Sequence, residues 1–169
     1  MSGFDAYLEI KRDIHLTCHE VNEILRLYII SFLDNQELDQ SQYDFLRKTV
    51  SETESCVWFL LKDKNNNTVI GMVSLFINYE HAHLFDINIA LGENICNLSV
   101  HPEYRGFKCA KYLMNELVDY CQGIQEFIGV PLVLEIKKNS NHVEQLFGLY
   151  SGLGFEVFEE TGSGFFLKK

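Results

Sequence analysis

The stretch Asn97-Leu98-Ser99-Val100-His101-Pro102-Glu103-Tyr104-Arg105-Gly106-Phe107-Lys108-Cys109-Ala110 constrains this chain more than any other. An apolar run ends at Val100, Pro102 marks a turn, and an amphipathic helical pattern starts directly after Arg105 and Gly106. A strand that stops in a turn and feeds a helix leaves the first helical N–H groups without intrahelical partners. Those donors, together with the positive end of the helix dipole, form a site for an anion, phosphate above all. A surface turn that merely caps a helix would share the pattern. The reading taken forward is a cradle for the diphosphate of a nucleotide-derived cofactor.

Periodicity supplies the rest of the order. Tyr7 to Ile14 loosely alternates apolar and charged residues, as a half-buried strand does. Thr17-Cys18-His19-Glu20 has capping-box form, and Val21, Ile24, Leu25, Tyr28, Ile29 and Phe32 follow at helical spacing. A second helix is expected over Leu38 to Val50, with Phe45 and Leu46 inward. Ser55–Lys62 and Thr68–Asn78 are β-prone runs across the turn cluster Asp63–Asn67, which reads as a hairpin. Tyr79 to Glu93 reads as strand end plus loop, and Asn94 to Val100 as the strand entering the opening motif. A helix over Lys108–Gln122, a strand over Val130–Ile136, a helix carrying Val143, Leu146, Phe147 and Tyr150, and two short strands complete the chain. The strand–helix–strand from Asn94 to Ile136 should be a parallel crossover. Asn139, Ser140 and Asn141 offer helix caps, and Gly152 and Gly154 stop the late helix.

Composition narrows the function classes. The 169 residues suit a single domain over 1–169, and 47% apolar content supports a core. A net charge of −10, from 24 acidic and 14 basic residues, argues against nucleic acid and mildly favours a cationic partner. Five cysteines without C-x-x-C spacing read as small buried residues rather than a disulfide framework or zinc site. No signal peptide and no membrane-length apolar run is visible, so a soluble, cytoplasmic protein is expected, without membrane partners. Glu80-His81-Ala82-His83 lacks a third ligand at metal spacing and reads as a polar loop, so no metal is expected.

Two motifs resemble the GNAT family of acyl-CoA-dependent N-acetyltransferases. Val100-His101-Pro102-Glu103-Tyr104-Arg105-Gly106 fits the family's V-x-P-x-Y-R-G signature, with Ala110 as its final small residue. Leu149-Tyr150-Ser151-Gly152-Leu153-Gly154-Phe155 fits the late L-Y-x-x-x-G-F element. The resemblance implies an α/β (α+β) GNAT fold, a mixed and mostly antiparallel sheet of about seven strands flanked by about four helices. It implies direct transfer of an acetyl group from acetyl-CoA to a primary amine, and it allows a homodimer.

The resemblance also implies site residues. The main chain of Leu98, Ser99 and Val100 would run along the pantetheine, with Val100 N–H polarising the thioester carbonyl. Arg105, Gly106, Phe107, Lys108, Cys109 and Ala110 would cradle the diphosphate. Tyr150 matches the general acid for the departing thiolate. Glu93 stands where several members place a general base, with Asp86 and Glu80 as rivals. Two positions depart from the pattern. Lys108 replaces a glycine, which helical dihedrals would accommodate, and Val143 replaces an Asn that binds the pantetheine arm, leaving Asn141 as the substitute. Asp34, Glu37, Asp39, Asp44, Glu80 and Asp86 would make the acceptor side acidic. A small cationic, polyamine-like amine is therefore preferred, ahead of a protein α-amine or lysine and of a non-catalytic CoA-binding module.

Overall fold

The computed structural model describes residues 5–12, 16–32, 38–52, 56–77, 87–89, 98–124 and 132–169. Along them run β1 (Ala6–Arg12), α1 (Cys18–Phe32), α2 (Gln40–Glu52), β2 (Cys56–Asp63) and β3 (Val69–Ile77). There follow β4 (Ile87–Ile89), β5 (Ser99–Val100), α3 (Cys109–Gly123), β6 (Leu132–Lys137), α4 (Val143–Ser151), β7 (Glu156–Glu160) and β8 (Gly164–Lys168). The sheet order is β1-β2-β3-β4-β6-β8-β7, with β5 pairing β3 off that path. Every described pairing is antiparallel except β4 with β6. Among the described residues the expected mixed sheet with four flanking helices is therefore present, with eight strands where about seven were expected.

Local chemistry starts the helices. Thr17 and Glu20 form the expected capping box: Glu20 N–H donates to Thr17 Oγ1 at 3.2 Å, and Thr17 N–H donates to Glu20 Oε2 at 2.7 Å. α2 has a second, unforeseen box, in which Gln42 N–H donates to Asp39 Oδ1 at 2.8 Å and Asp39 N–H to Gln42 Oε1 at 3.1 Å. The inward stripe of α2 is Tyr43, Leu46 and Val50. Phe45 lies off that stripe and is 69% exposed, contrary to expectation, because a helix turns about 100° per residue.

Strand alternation then builds two apolar layers. Val57, Phe59 and Leu61 of β2 face one cluster with Leu113, Leu117 and Tyr150, the side of α3 and α4. Cys56, Trp58 and Leu60 face the other with Val21, Ile24 and Leu25, the side of α1. Cys56, Cys109 and Cys121 are buried as expected, whereas Cys18 is exposed because it opens α1. Cys96 lies outside the described residues. The parallel crossover differs from expectation: β6 takes Ile87–Ile89 as its parallel neighbour, while Ser99–Val100 pairs with β3. β7 forms one sheet edge, exposed at every residue, with Val157 and Phe158 among three glutamates and a register slip between Val157 and Glu159.

α1 is pinned to the sheet by charge. Buried Glu20 receives Lys62 Nζ at 2.6 Å and Lys11 Nζ at 2.8 Å, and Lys62 also reaches Glu9. Burial pushes the Glu20 carboxyl upward, but the two ammoniums and the Thr17 donors outweigh it and hold it at about 2, below its ordinary 4.5. A depressed folded-state pKa contributes stability above the unfolded value and loses it as pH falls through the folded value. Glu20→Gln should therefore cost about 3 kcal/mol at pH 7, since it leaves the buried Lys62 short of a counter-charge. Thermal melts of both forms should converge as pH drops from 4.5 toward 2; a pH-independent gap would rule out the charge as its source.

Candidate active site

The site is assembled where β5 gives way to α3. Val100 stands opposite Gly71 and Ser99 opposite Met72. His101 N–H donates to the Ile70 carbonyl at 2.9 Å, which extends the same register by one rung. Hydrogen-bonded and non-hydrogen-bonded pairs alternate along an antiparallel ladder. Ser99 and His101 thus turn their main chain to β3, while Val100, and by the same alternation Leu98, turn theirs away. Consistent with this, the Val100 carbonyl accepts Arg105 Nε at 3.1 Å rather than a β3 amide. Among the described strands β5 pairs with β3 alone, so its other edge offers Leu98 and Val100 backbone groups to an extended ligand. Ser99 is committed elsewhere: its backbone belongs to the β3 ladder and its hydroxyl meets Ser31 Oγ at 2.5 Å.

A single 3-10 turn, Pro102–Tyr104, follows. His101 Nδ1 accepts from Glu103 N–H at 3.4 Å, and Tyr104 N–H returns to the His101 carbonyl at 2.9 Å. Gly106 then adopts φ 88°, a backbone region open to glycine and strained for other residues. Lys108 is the N-cap of α3, with φ 64° and ψ 17°, and its side chain makes no cap hydrogen bond. The first turn of α3 therefore presents backbone donors at the end of β5, flanked by exposed Arg105 and Lys108. Cys109 and Ala110 anchor the turn against the core; burial pushes the Cys109 thiol up, so it packs rather than reacts.

Lys108 corrects one expectation. Its backbone is left-handed, not helical, which costs a non-glycine residue about 1 kcal/mol. The usual glycine at this position is thus explained by φ as much as by space.

Tyr150 lies on α4, 3% exposed, edge-on to Phe155 at 5.9 Å. Burial pushes its phenol well above the ordinary range, so it stays protonated at neutral pH. The motif around it is also a helix stop. Gly154 takes φ 86°, and both Leu153 N–H and Phe155 N–H donate to the Tyr150 carbonyl at 3.0 Å. Asn141 is exposed in the turn before α4, but the N-cap is His142, whose N–H donates to Ser140 Oγ at 3.2 Å. Neither Asn139 nor Asn141 is the N-cap of α4. Glu93, Glu80, Asp86, Asp34, Glu37, His81 and His83 lie outside the described residues. Asp39 is spent on the α2 cap, and Asp44 accepts from Gln40 Nε2 at 2.8 Å. No group of three or more His, Cys, Asp or Glu among the described residues could hold a metal ion.

Sequence comparison agrees with this layout. The Acetyltransferase (GNAT) family model matches residues 19–155, which span both the β5–α3 turn and the α4 element. The chain belongs to the GNAT acetyltransferase family. No curated protein matches it by sequence. Among solved structures it resembles Escherichia coli ElaA, at 17% identity and TM-score 0.66, covering 98% of this chain and 99% of that one. Campylobacter jejuni N-acetyltransferase PseH, in complex with acetyl coenzyme A, superposes with TM-score 0.60 at 18% identity over 96% and 98% of the two chains. Arabidopsis thaliana Naa50, in complex with the bisubstrate analogue CoA-Ac-MVNAL, does so with TM-score 0.61 at 15% identity over 96% and 97%.

Lys108→Gly should relieve the left-handed strain. Unliganded protein should gain about 1 kcal/mol, or a Tm rise of about 2–4 °C for a chain of this size. Calorimetry would show it, and an unchanged or lower Tm would contradict the backbone assignment.

Proposed function

We propose that this GNAT-family chain is an acyl-CoA-dependent N-acetyltransferase that passes an acetyl group from acetyl-CoA directly to a primary amine. The observation that carries the reading is the start of α3, without a side-chain bond from its N-cap residue, set against the outward-turned backbone of Val100. One element supplies donors for a diphosphate, and the other supplies an edge for an extended pantetheine. Arg105, Gly106, Phe107, Lys108, Cys109 and Ala110 would hold the diphosphate, with Leu98 and Val100 along the arm and Asn141 near it.

In the transfer the amine nitrogen attacks the thioester carbonyl carbon, the C–S bond breaks and an amide forms. The amine loses a proton and the leaving sulfur gains one. Val100 N–H, turned away from β3, would polarise the thioester oxygen. Tyr150, kept protonated by burial, is proposed as the proton donor to sulfur, and Glu93 as the base for the amine. The geometry's main contribution is to hold the two reactants together.

A small cationic amine is the preferred acceptor. Its support is the net charge of −10, which raises the local concentration of cations. The complex of Naa50 with the bisubstrate analogue CoA-Ac-MVNAL supports the second reading, a protein acetyltransferase. Free cysteines and a reducing cytoplasm suit each other.

Incubation with acetyl-CoA and spermidine, aminoglycosides or peptides, with free thiol measured, tests all of this. Release with spermidine is expected; release with peptides alone would favour the second reading. Tyr150→Phe should lower kcat about a hundredfold at the pH optimum, and near-normal turnover would remove it as the acid.

A further inference from the structure

We propose that Asp63, at the tip of the β2–β3 hairpin, is a positioning residue for the α3 anion site and acts through Tyr104. The inference rests on the acetyl-CoA reading of that site and names a device that serves it.

Asp63 is the last residue of β2 and is only 8% exposed. Its two carboxylate oxygens have different partners. Oδ1 accepts Asn65 N–H at 2.7 Å inside the hairpin turn, and Oδ2 accepts the Tyr104 hydroxyl at 3.3 Å. Tyr104 closes the 3-10 turn directly before Arg105 and Gly106, so one carboxylate joins the hairpin tip to the entrance of the cradle.

The hairpin tip can bear that role. Asp63 N–H donates to the Thr68 carbonyl at 3.0 Å, and Asn67 N–H returns to the Asp63 carbonyl at 2.9 Å. Asn66 Oδ1 accepts Thr68 N–H at 3.0 Å. Lys64 ties the tip to the start of β1, through its N–H on the Asp5 carbonyl and its ammonium on the Asp5 carboxylate. The cradle has holds of its own. Leading into it are the His101 rung on Ile70, the Arg105 bond to Val100, and the edge-on contact of His101 with Tyr104 at 5.9 Å. From Gly106 to Lys108 the residues are exposed and include two left-handed backbones. Backbone donors recognise phosphate only if their spacing is held beforehand. Anchoring Tyr104 fixes where that run departs from the sheet.

Burial, and then the neighbouring Asp63 charge, hold the Tyr104 phenol above its ordinary range, so it remains a donor at working pH. A carboxylate near a phosphate site is electrostatically unfavourable. Its presence argues that it is there to accept a hydrogen bond rather than to supply a field. Asparagine at position 63 should therefore largely substitute for it, its amide oxygen keeping the Asn65 N–H while its NH2 donates to the Tyr104 hydroxyl oxygen.

The test compares wild type, Tyr104→Phe, Asp63→Ala, Asp63→Asn and the control Lys64→Ala. Each is assayed for acetyl-CoA Kd by calorimetry, for KM and kcat by thiol release, and for unliganded Tm. Tyr104→Phe and Asp63→Ala should weaken acetyl-CoA binding about five- to tenfold, with KM rising in step and kcat nearly unchanged. Asp63→Asn should restore most of the affinity, and Lys64→Ala should lower Tm without moving Kd. If Tyr104→Phe and Asp63→Ala remain folded and keep wild-type Kd, the positioning role is overturned while the site assignment stands. If Lys64→Ala weakens binding as much as Asp63→Ala, general hairpin stability is the cause and the role is again overturned. If wild type itself fails to bind acetyl-CoA, the proposed function falls, and this inference with it.

Discussion

A helix cannot satisfy the N–H groups of its own first turn, and the side chain of Lys108, the N-cap of α3, makes no cap bond. The surrounding structure is arranged about that shortfall. β5 brings the chain to the helix start with its Val100 main chain turned away from β3, and Gly106 and Lys108 bend the path through left-handed backbone. Cys109 and Leu113 then lock the helix into the core. A helix start without a side-chain bond from its N-cap residue, set at an edge of β5 that no described strand pairs, is what a bound anion with an extended tail would complete.

Most of the fold was legible in the residues. The Thr17–Glu20 box, the stripe Val21-Ile24-Leu25 and the run of β2 are local signals, and β1, α2, β2, β3, α3 and β6 lie within about two residues of where periodicity puts them. What escaped was non-local. β4 is three residues long and identified by its neighbours β3 and β6, which no sequence period reveals. Phe45 went astray because apolar character suggested burial, whereas the helical angle from Tyr43, Leu46 and Val50 turns it outward. At the site, residue types announced the anion loop, but the sign of φ at Lys108 did not follow from them. The two-sided use of Asp63 was also invisible: an Asp before three asparagines looks like turn chemistry, and only the fold brings Tyr104 within reach.

The two sides of the sheet are held by different forces. On the α3 and α4 side the layer is apolar, and Tyr150 belongs to it as a packed ring before any chemistry is assigned to it. On the α1 side, apolar packing is supplemented by the Glu20–Lys62–Lys11 cluster, which makes the position of α1 depend on β1 and β2 together. Such a cluster adds directional specificity that greasy contacts lack. α1 also touches β5 through Ser31 and Ser99, so the same helix links the charged cluster to the strand beside the candidate site.

β7 carries a different kind of consequence. An outermost strand with open backbone groups is a template on which another strand can grow, and Val157 and Phe158 would make that growth favourable. Glu156 and Glu159 guard it with like charge, Glu160 being paired with Lys138 Nζ at 2.7 Å, and the register slip bends it away from flat stacking. This guard stands at the end of the sheet farthest from β1. Conditions that neutralise it, such as acid or dense polycation, turn a guarded margin into an adhesive one.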